Sequence, residues 1–203
     1  FWSLMLASRQ VDISRKLSPH GMRNRAVRLA WSVVWWLLFR PSPRPCLSWR
    51  RLLLVAFGAK IARSAKVHNS VIVWAPWNLS MAEHSTLAPK VDCYCVAPIH
   101  IGAHTTVSQY SYLCAATHDF EHPRFPLVPK PITIEDQVWL AADVFVGPGV
   151  TIHQGAVIGA RSSVFSDIPA WRVAVGNPAK PVRDRVLKDP EAGREKDPGT
   201  LAS

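Results

Sequence analysis

Apolar residues recur at every sixth position along the second half of the chain. A second aliphatic set lies two places before these main positions, until Ser162 interrupts it. A period of six matches neither the 3.6 residues of a helical turn nor the two-residue alternation of a simple strand. It indicates a short strand and a tight corner, repeated, in which glycine, asparagine or aspartate would ease the corner backbone. The main positions are Ile134, Leu140, Val146, Ile152, Ile158 and Val164, and the second set is Ile132, Val138, Val144, Val150 and Ala156.

The same spacing runs upstream in sets of three that begin at Ile61, Met81 and Ile101. Each set carries two residues more than three hexads, so we predict coils of three short strands with a two-residue bulge in each early coil. The alternative, antiparallel hairpins of a β-sandwich, would place turns about 8–12 residues apart, which does not fit this spacing. The predicted coils, five in number, are 61–78, 81–98, 101–118, 134–151 and 152–169.

A stack of coils has two open ends, and each end needs a cap. Residues 1–58 supply the first, because Met22–Phe39 has the pattern of an amphipathic helix and prolines from Pro41 onward end it. Residues 59–172 form the coil domain, which a proline-rich loop at 119–131 interrupts. Residues 173–203 are expected to pack across the other end and to continue as a frayed polar tail beyond Asp189.

The net charge of +10 belongs to the N-terminal segment, because eleven of the 24 basic residues precede residue 61 with one acid, Asp12. The remainder carries thirteen charges of each sign. Besides capping the stack, this segment fits a peripheral anchor on an anionic membrane, with tryptophans at the interface. No recognition module for nucleic acid accompanies the charge, so we expect no such partner. The arginines expected to meet headgroups are Arg23, Arg25, Arg28, Arg40, Arg50 and Arg51.

No secretion signal or membrane span is expected. The apolar run Leu29–Phe39 has eleven residues, whereas a spanning helix needs about 20, and no small-residue cleavage site follows it. The four cysteines do not form a disulfide framework. Cys93-x-Cys95 lacks the second ligand pair of a zinc site. We therefore predict a cytoplasmic protein with reduced thiols and no metal.

The hexads, together with VWLAADVFVGPGVTIHQGAVIGARSSV at 138–164 and VGNPAKPVR at 175–183, resemble the hexapeptide-repeat acyltransferases. Within them, LLFRPSPRP, WRRLLLVAFGAKI, APWNL, THD and FPLVPKPITIED resemble acetyltransferases of the colanic-acid biosynthesis type. The resemblance covers residues 22–186. It implies an all-β, left-handed parallel β-helix that forms a homotrimer and binds acetyl-CoA in clefts between subunits. It also implies O-acetylation of a sugar hydroxyl in exopolysaccharide or surface polysaccharide biosynthesis.

The resemblance also assigns residues to the acceptor side of the site. The catalytic base of the family is the histidine that ends a coil just before a protruding loop, which is His118 here. A neutral imidazole can take the proton of an attacking hydroxyl, and this chemistry needs no metal. Asp119 would orient the imidazole or contact the acceptor, or it simply begins the loop. Trp139 would lie near the histidine or form an exposed subunit contact, and Cys95 aligns with an acceptor-site asparagine of many relatives.

The donor side follows from the same resemblance. Backbone at Ala142 and Ala160 matches the positions that bind the pantetheine arm, while Lys180 and Arg183 match cations that face the phosphates of CoA. For the two cations, the alternative is an ordinary solvated tail. Phe165-Ser166 stands where related enzymes often carry Thr-Lys, so one phosphate contact is expected to be missing.

Direct transfer by a histidine base has three alternatives. A carbonic-anhydrase-like metal site would need histidines that converge across an interface, and His118 and His122 lack that spacing. An acyl-cysteine route through Cys114 is not needed for this chemistry. A β-helix that has lost catalysis and serves as an assembly or binding module is the alternative from another class.

Overall fold

The computed structural model describes Val11, Ser14 and residues 21–188. The tail predicted beyond Asp189 lies outside these residues. Most of the described chain winds through three parallel sheets, which form the three faces of a β-helix. We call them faces A, B and C in the order in which each coil visits them.

Every face is built from two- or three-residue strands in parallel register, apart from the longer C-terminal strands. Face A holds β1 (Lys60–Ile61), β4 (Leu79–Met81), β7 (Ile99–Ile101), β12 (Ile132–Ile134) and β15 (Thr151–Ile152). Face B holds β2 (Lys66–Val67), β5 (Thr86–Leu87), β8 (Thr106–Val107), β13 (Trp139–Leu140), β16 (Val157–Ile158), β18 (Arg172–Gly176) and β19 (Ala179–Asp184). Face C holds β3 (Ile72–Val73), β6 (Asp92–Tyr94), β9 (Tyr112–Cys114), β14 (Phe145–Val146) and β17 (Ser163–Val164).

The register confirms the hexad frame. Ile61 pairs with Met81, Met81 with Ile101, Ile101 with Ile134 and Ile134 with Ile152. The main and second hexad positions from Ile132 to Val164 expose at most 2% of their surface. Burial of such a side chain stabilises the fold by about 1.5–3 kcal/mol, so the stacked aliphatic columns are the dominant favourable term.

The coil count differs slightly from the prediction. Five complete coils are followed by a partial sixth, in which Ile168 bridges to Ile152 and β18 pairs with β16. The extra residues of the first coil lie between faces C and A, where a 3-10 helix spans Pro76–Asn78. The sequence indicated the bulge but not its position.

The corners depart from the expected residue types. Only Gly149 and Gly155 are glycines with positive φ at corners between residues 132 and 164, while other corners place larger side chains in the left-handed region. Such a conformation is unfavourable for residues with a Cβ, so stacking against neighbouring coils must hold it. The non-glycine corner residues with φ between 56° and 64° are His84, Lys90, His104, Tyr110, Gln137, Asp143, Arg161 and Trp171.

Among the described residues, two helices cap the first coil. A helical cap was predicted for this end of the stack, although the second helix was not. α1 (Met22–Val34) continues as a π-helical segment, Trp35–Phe39, and α2 (Leu47–Ala56) follows. Their side chains supply donors to the carbonyls that the first coil leaves unpaired at its open edge. Trp31 Nε1 donates to Val73 O at 2.6 Å.

Three further donors of the cap act in the same way. Trp35 Nε1 donates to Val71 O at 2.8 Å, Arg50 Nε to Val67 O at 2.8 Å and Arg51 Nε to Ile61 O at 2.8 Å. Arg50 is only 1% exposed, and its remaining nitrogens donate to Ser42 Oγ and to the carbonyls of residues 43 and 44. The prediction that Arg50 meets headgroups is therefore wrong, since its guanidinium is buried and donates four hydrogen bonds to the first coil and to residues 42–44.

A β-hairpin interrupts the stack between the third and fourth coils. β10 (Ala116–His118) leaves the corner after face C and pairs antiparallel with β11 (Leu127–Pro129). The base of the hairpin is tied to the stack, because Lys130 N donates to Ala115 O at 3.0 Å and Ile132 N to Pro98 O at 3.0 Å. The proline-rich segment is thus an ordered excursion from the coil.

Candidate active site

The hairpin corner, residues 115–131, positions the predicted base. His118 is the last residue of β10, is exposed, and pairs with Leu127 across the hairpin. Its Nδ1 lies 2.6 Å from the carbonyl oxygen of Phe125. A carbonyl can only accept, so Nδ1 carries a proton, and in the neutral imidazole this tautomer leaves the lone pair on Nε2.

The residue that orients His118 was not predicted from the sequence. Phe125 has φ of 44°, an unfavourable conformation for an aromatic residue. Its N–H donates to His122 O at 3.0 Å, which closes the turn at the tip of the hairpin. Because the acceptor is a backbone carbonyl, the type of side chain at this position could not have predicted it. The sequence does mark the region, since the repeat is interrupted beside a histidine.

Asp119 forms hydrogen bonds within the hairpin turn, and none is found between it and the imidazole of His118. Its Oδ1 accepts the N–H of Glu121 at 3.1 Å, and its own N–H donates to Pro126 O at 3.0 Å. Of the three roles left open by the sequence, these contacts favour the one in which Asp119 begins the loop.

A groove runs along the corners between faces B and C, and we call it the groove corner. It encloses about 430 Å³. Ala142 and Ala160 belong to successive coils there, and Arg161 N donates to Ala142 O at 2.9 Å. No hydrogen bond within the described chain uses the N–H of Ala142 or Ala160, so both are available to a ligand. The lining residues are Gln109, Tyr110, Ala142, Asp143, Ala160 and Arg161.

Trp139 adjoins the groove corner. It lies on the outer side of face B and is 48% exposed, and its indole Nε1 donates to Ser108 Oγ at 3.1 Å. Ser108 immediately precedes Gln109 of the groove, so this bond holds the indole toward the groove corner. The contact with Ser108 was not anticipated from the sequence.

Lys180 and Arg183 lie on β19, beyond the last complete coil, and both are exposed. Lys180 pairs with Val175, whose Cγ1 would lie 2.6 Å from a Cβ built on Gly159. Gly159 therefore permits β18 to approach the last groove corner closely. Lys180 is consequently about two strand spacings, or ~10 Å, from the backbone beside Ala160.

Cys95 lies in the core, which counts against direct contact with an acceptor. It has no exposed surface, its Sγ donates to Ala75 O at 3.2 Å, and burial raises the pKa of the thiol to about 11. Cys114 is partly buried, and its Sγ donates to Ala116 O at 3.2 Å. Neither contact gives the thiol a base that would activate it as a nucleophile.

The structure brings the predicted residues together in two groups, not one. Trp139, Ala142 and Ala160 lie at or beside the groove corner, with Lys180 one step beyond, whereas His118 lies on the hairpin corner. Face C, with strands such as Tyr112–Cys114, separates the two corners within one chain. Residues 21–188 contain no group of three or more His, Cys, Asp or Glu side chains that could hold a metal ion.

Comparisons with known proteins agree with this geometry. No family model matches the chain. The chain is 42% identical over 177 residues to an Escherichia coli K12 protein that carries the name colanic acid biosynthesis acetyltransferase WcaF, covering 86% of this chain and 97% of that one. A Schizosaccharomyces pombe protein named as an acetyltransferase is 46% identical over 91 residues, 43% of this chain and 44% of its own.

Solved structures share the fold. The hexapeptide-repeat acetyltransferase VCA0836 of Vibrio cholerae, complexed with acetyl-CoA, superposes with a TM-score of 0.74 at 26% identity, covering 86% of this chain and 94% of that one. A galactoside acetyltransferase in complex with coenzyme A gives a TM-score of 0.75 at 23% identity, over 92% of this chain and 94% of that one. With its three-faced stack and its match over most of WcaF, the chain belongs to the hexapeptide-repeat acetyltransferases with a left-handed parallel β-helix, in the colanic acid biosynthesis subfamily.

Proposed function

We propose that this acetyltransferase moves an acetyl group from acetyl-CoA to a sugar hydroxyl in exopolysaccharide or surface polysaccharide biosynthesis. The similarity to WcaF supports the pathway, and the similarity to structures that hold acetyl-CoA or CoA supports the donor. The free thiols of the described cysteines favour a cytoplasmic site of action. The observation that carries the chemistry is the bond of 2.6 Å between His118 Nδ1 and Phe125 O.

This bond supports His118 as the general base. With Nδ1 protonated, Nε2 accepts the proton of the sugar hydroxyl while the hydroxyl oxygen attacks the thioester carbonyl carbon. The carbon–sulfur bond breaks, and the proton passes from Nε2 to the sulfur that leaves. Transfer is direct, and neither Cys95 nor Cys114 forms a covalent link to the acetyl group.

The groove corner fits the donor. Acetyl-CoA supplies the activated acetyl group, and its pantetheine amides need backbone partners in a narrow channel. Ala142 and Ala160 leave room for the arm and offer two unused N–H groups on successive coils. Lys180 and Arg183 provide cations for the phosphates at the end of the groove.

The separation of the two corners supports a homotrimer. The base and the donor groove lie on opposite sides of face C in one chain, so a complete site needs a second subunit. A ring of three joins unlike surfaces, which allows the hairpin corner of one subunit to meet the groove corner of the next. Trp139 would then line the acceptor pocket beside the base.

The test is acceptor-dependent release of CoA thiol from acetyl-CoA with a panel of sugars and nucleotide sugars. We expect His118→Ala to lower kcat by about 10²–10⁴-fold, the usual contribution of a general base. His122→Ala is the matched control, because His122 is exposed in the same hairpin but its Nδ1 accepts the backbone N–H of Arg124 at 3.1 Å. Equal measurable rates for wild type and His118→Ala would remove His118 as the base. No acceptor-dependent release by wild type with any acceptor would instead indicate an inactive assembly module.

A further inference from the structure

The cap helices carry apolar side chains on two opposite sides. Trp31, Trp35 and Phe39 are buried against the first coil. A second set points away from it, with Leu29 69% and Leu37 67% exposed. Because the first coil covers only one of these two apolar sides, the other side is left for a second partner. The outer set, which we call the outer helical face, comprises Met22, Leu29, Val33, Trp36, Leu37, Trp49, Leu52 and Val55.

The outer helical face is continuous across both helices. Trp49, Leu52 and Val55 recur every three residues along the exposed side of α2. Trp49 Nε1 donates to Leu38 O at 3.1 Å, which ties this stripe to the end of the first helical segment. Contiguous exposed apolar surface of this kind marks an interaction site rather than chance exposure.

The charge around this face has one sign. Residues 21–59 contain no aspartate or glutamate. Arg23, Arg25, Arg40 and Arg44 are exposed there, and Arg40 lies 4.9 Å from the ring of Trp36. Fewer of the arginines that were expected to meet headgroups are available than the sequence predicted, because Arg50 and Arg51 donate to the first coil. Arg28 is also engaged, stacking 4.2 Å from the ring of Trp74.

The uniform positive charge favours an anionic bilayer over a second copy of this chain as the partner of the outer helical face. A second copy that docked through the same surface would bring identical arginines together with no acid to compensate them. An anionic bilayer satisfies both features, since its acyl boundary takes the apolar side chains and its phosphates take the guanidinium groups. Tryptophan and arginine are the residues favoured at that depth. Among the described residues, no helix has the length and hydropathy to cross a membrane, so contact would be in the plane.

We propose that the outer helical face lies in the interface of an anionic membrane and holds the enzyme there. The hairpin corner follows the third coil, so it lies about two strand spacings, ~10 Å, from the capped coil along the stack. If the proposed function holds, the active site would thereby reach acceptors that are linked to membrane lipids. Only this last consequence rests on the proposed function; the membrane contact itself does not.

Vesicle flotation of the full chain tests the docking without any need for catalysis. Wild type should float with vesicles that contain phosphatidylglycerol and much less with phosphatidylcholine alone, and added salt should weaken binding. Leu29→Glu/Leu37→Glu should reduce binding by about tenfold or more, since it places two carboxylates in the apolar contact. The control Val182→Glu/Val186→Glu makes the same charge change at residues 57% and 79% exposed on the other end of the stack and should bind like wild type.

Three outcomes would overturn the proposal. Wild type does not float with the anionic vesicles, or Leu29→Glu/Leu37→Glu floats as well as the control, or that variant has a different oligomeric mass by light scattering, which would make the face a subunit interface. Should that variant unfold, Arg23→Gln/Arg25→Gln serves instead and should weaken binding to anionic vesicles severalfold with unchanged thermal unfolding. Unchanged binding in this pair would equally contradict the proposal.

Discussion

The groove corner and the hairpin corner differ in how the sequence builds them. The groove is made by the repeat itself, because Ala142 and Ala160 are equivalent positions eighteen residues apart on stacked coils. The hairpin is made by breaking the repeat, and His118 owes its orientation to the strained turn at Phe125. Regular stacking creates a long uniform groove of the kind that an extended donor needs, whereas placing one imidazole nitrogen requires a local structure that the repeat cannot supply.

This difference predicts that substitutions at the two corners will change different kinetic constants: those in the groove should impair the use of acetyl-CoA, and those in the hairpin should lower kcat. The largest effect among the following variants is expected from Ala160→Trp, which fills the groove. Its kcat/KM for acetyl-CoA should fall by about 100-fold, because displacement of a bound substrate by even 1 Å costs this much. Ala160→Ser is the matched control and should remain within a few-fold of wild type. A normal KM for acetyl-CoA in Ala160→Trp would place the donor elsewhere.

The second variant acts on the hairpin corner. Phe125→Pro locks φ near −65°, far from the observed 44°, so it moves the carbonyl that holds His118. We expect kcat to fall by about tenfold with an unchanged KM for acetyl-CoA, because the groove is untouched. Phe125→Gly adopts positive φ freely and should keep most of the activity. Equal losses in both variants would show that the phenylalanine ring, not the backbone, is what matters.

A smaller effect is expected at the end of the groove. Lys180→Gln/Arg183→Gln should raise the KM for acetyl-CoA by about five- to tenfold, since exposed charge-assisted contacts contribute on the order of 1 kcal/mol. kcat should be unchanged, and the difference from wild type should shrink at high salt. Lys188→Gln, an exposed cation just beyond, is the control. An unchanged KM in the double variant would support the solvated-tail interpretation.

The fold was largely predictable because it follows from one constraint, the burial of an aliphatic residue at every sixth position. The frame Ile61, Val67, Val73 and its equivalents is the register observed. The corners were less predictable, since the coil imposes left-handed backbone on residues such as Tyr110 and Arg161 that would avoid it elsewhere. The helix α2 was not predicted because its buried side includes a charged residue, Arg50, which donates to a carbonyl of the first coil. In an ordinary amphipathic helix the buried side is apolar and the charged residues face solvent.

The candidate site was predictable to the extent that it depends on residue identity. The break in the repeat at His118 is visible in the sequence, as are the small residues of the groove. The partner of His118 is a backbone carbonyl, and Trp139 is held by a serine from the preceding coil, so neither contact has a sequence signature. Cys95 was misleading for a related reason, since alignment with a polar residue does not show which way a side chain at a corner points.

The central claim is that the hairpin corner of one subunit completes the groove corner of another. It is tested most directly by co-expressing His118→Ala and Ala160→Trp chains, each nearly inactive alone, and measuring CoA release by the mixed oligomer. If the site is shared, a 1:1 mixture regains about a quarter of wild-type activity, because an intact hairpin meets an intact groove at that fraction of interfaces. Activity no higher than that of the two parents would contradict the account and place the whole site within one chain.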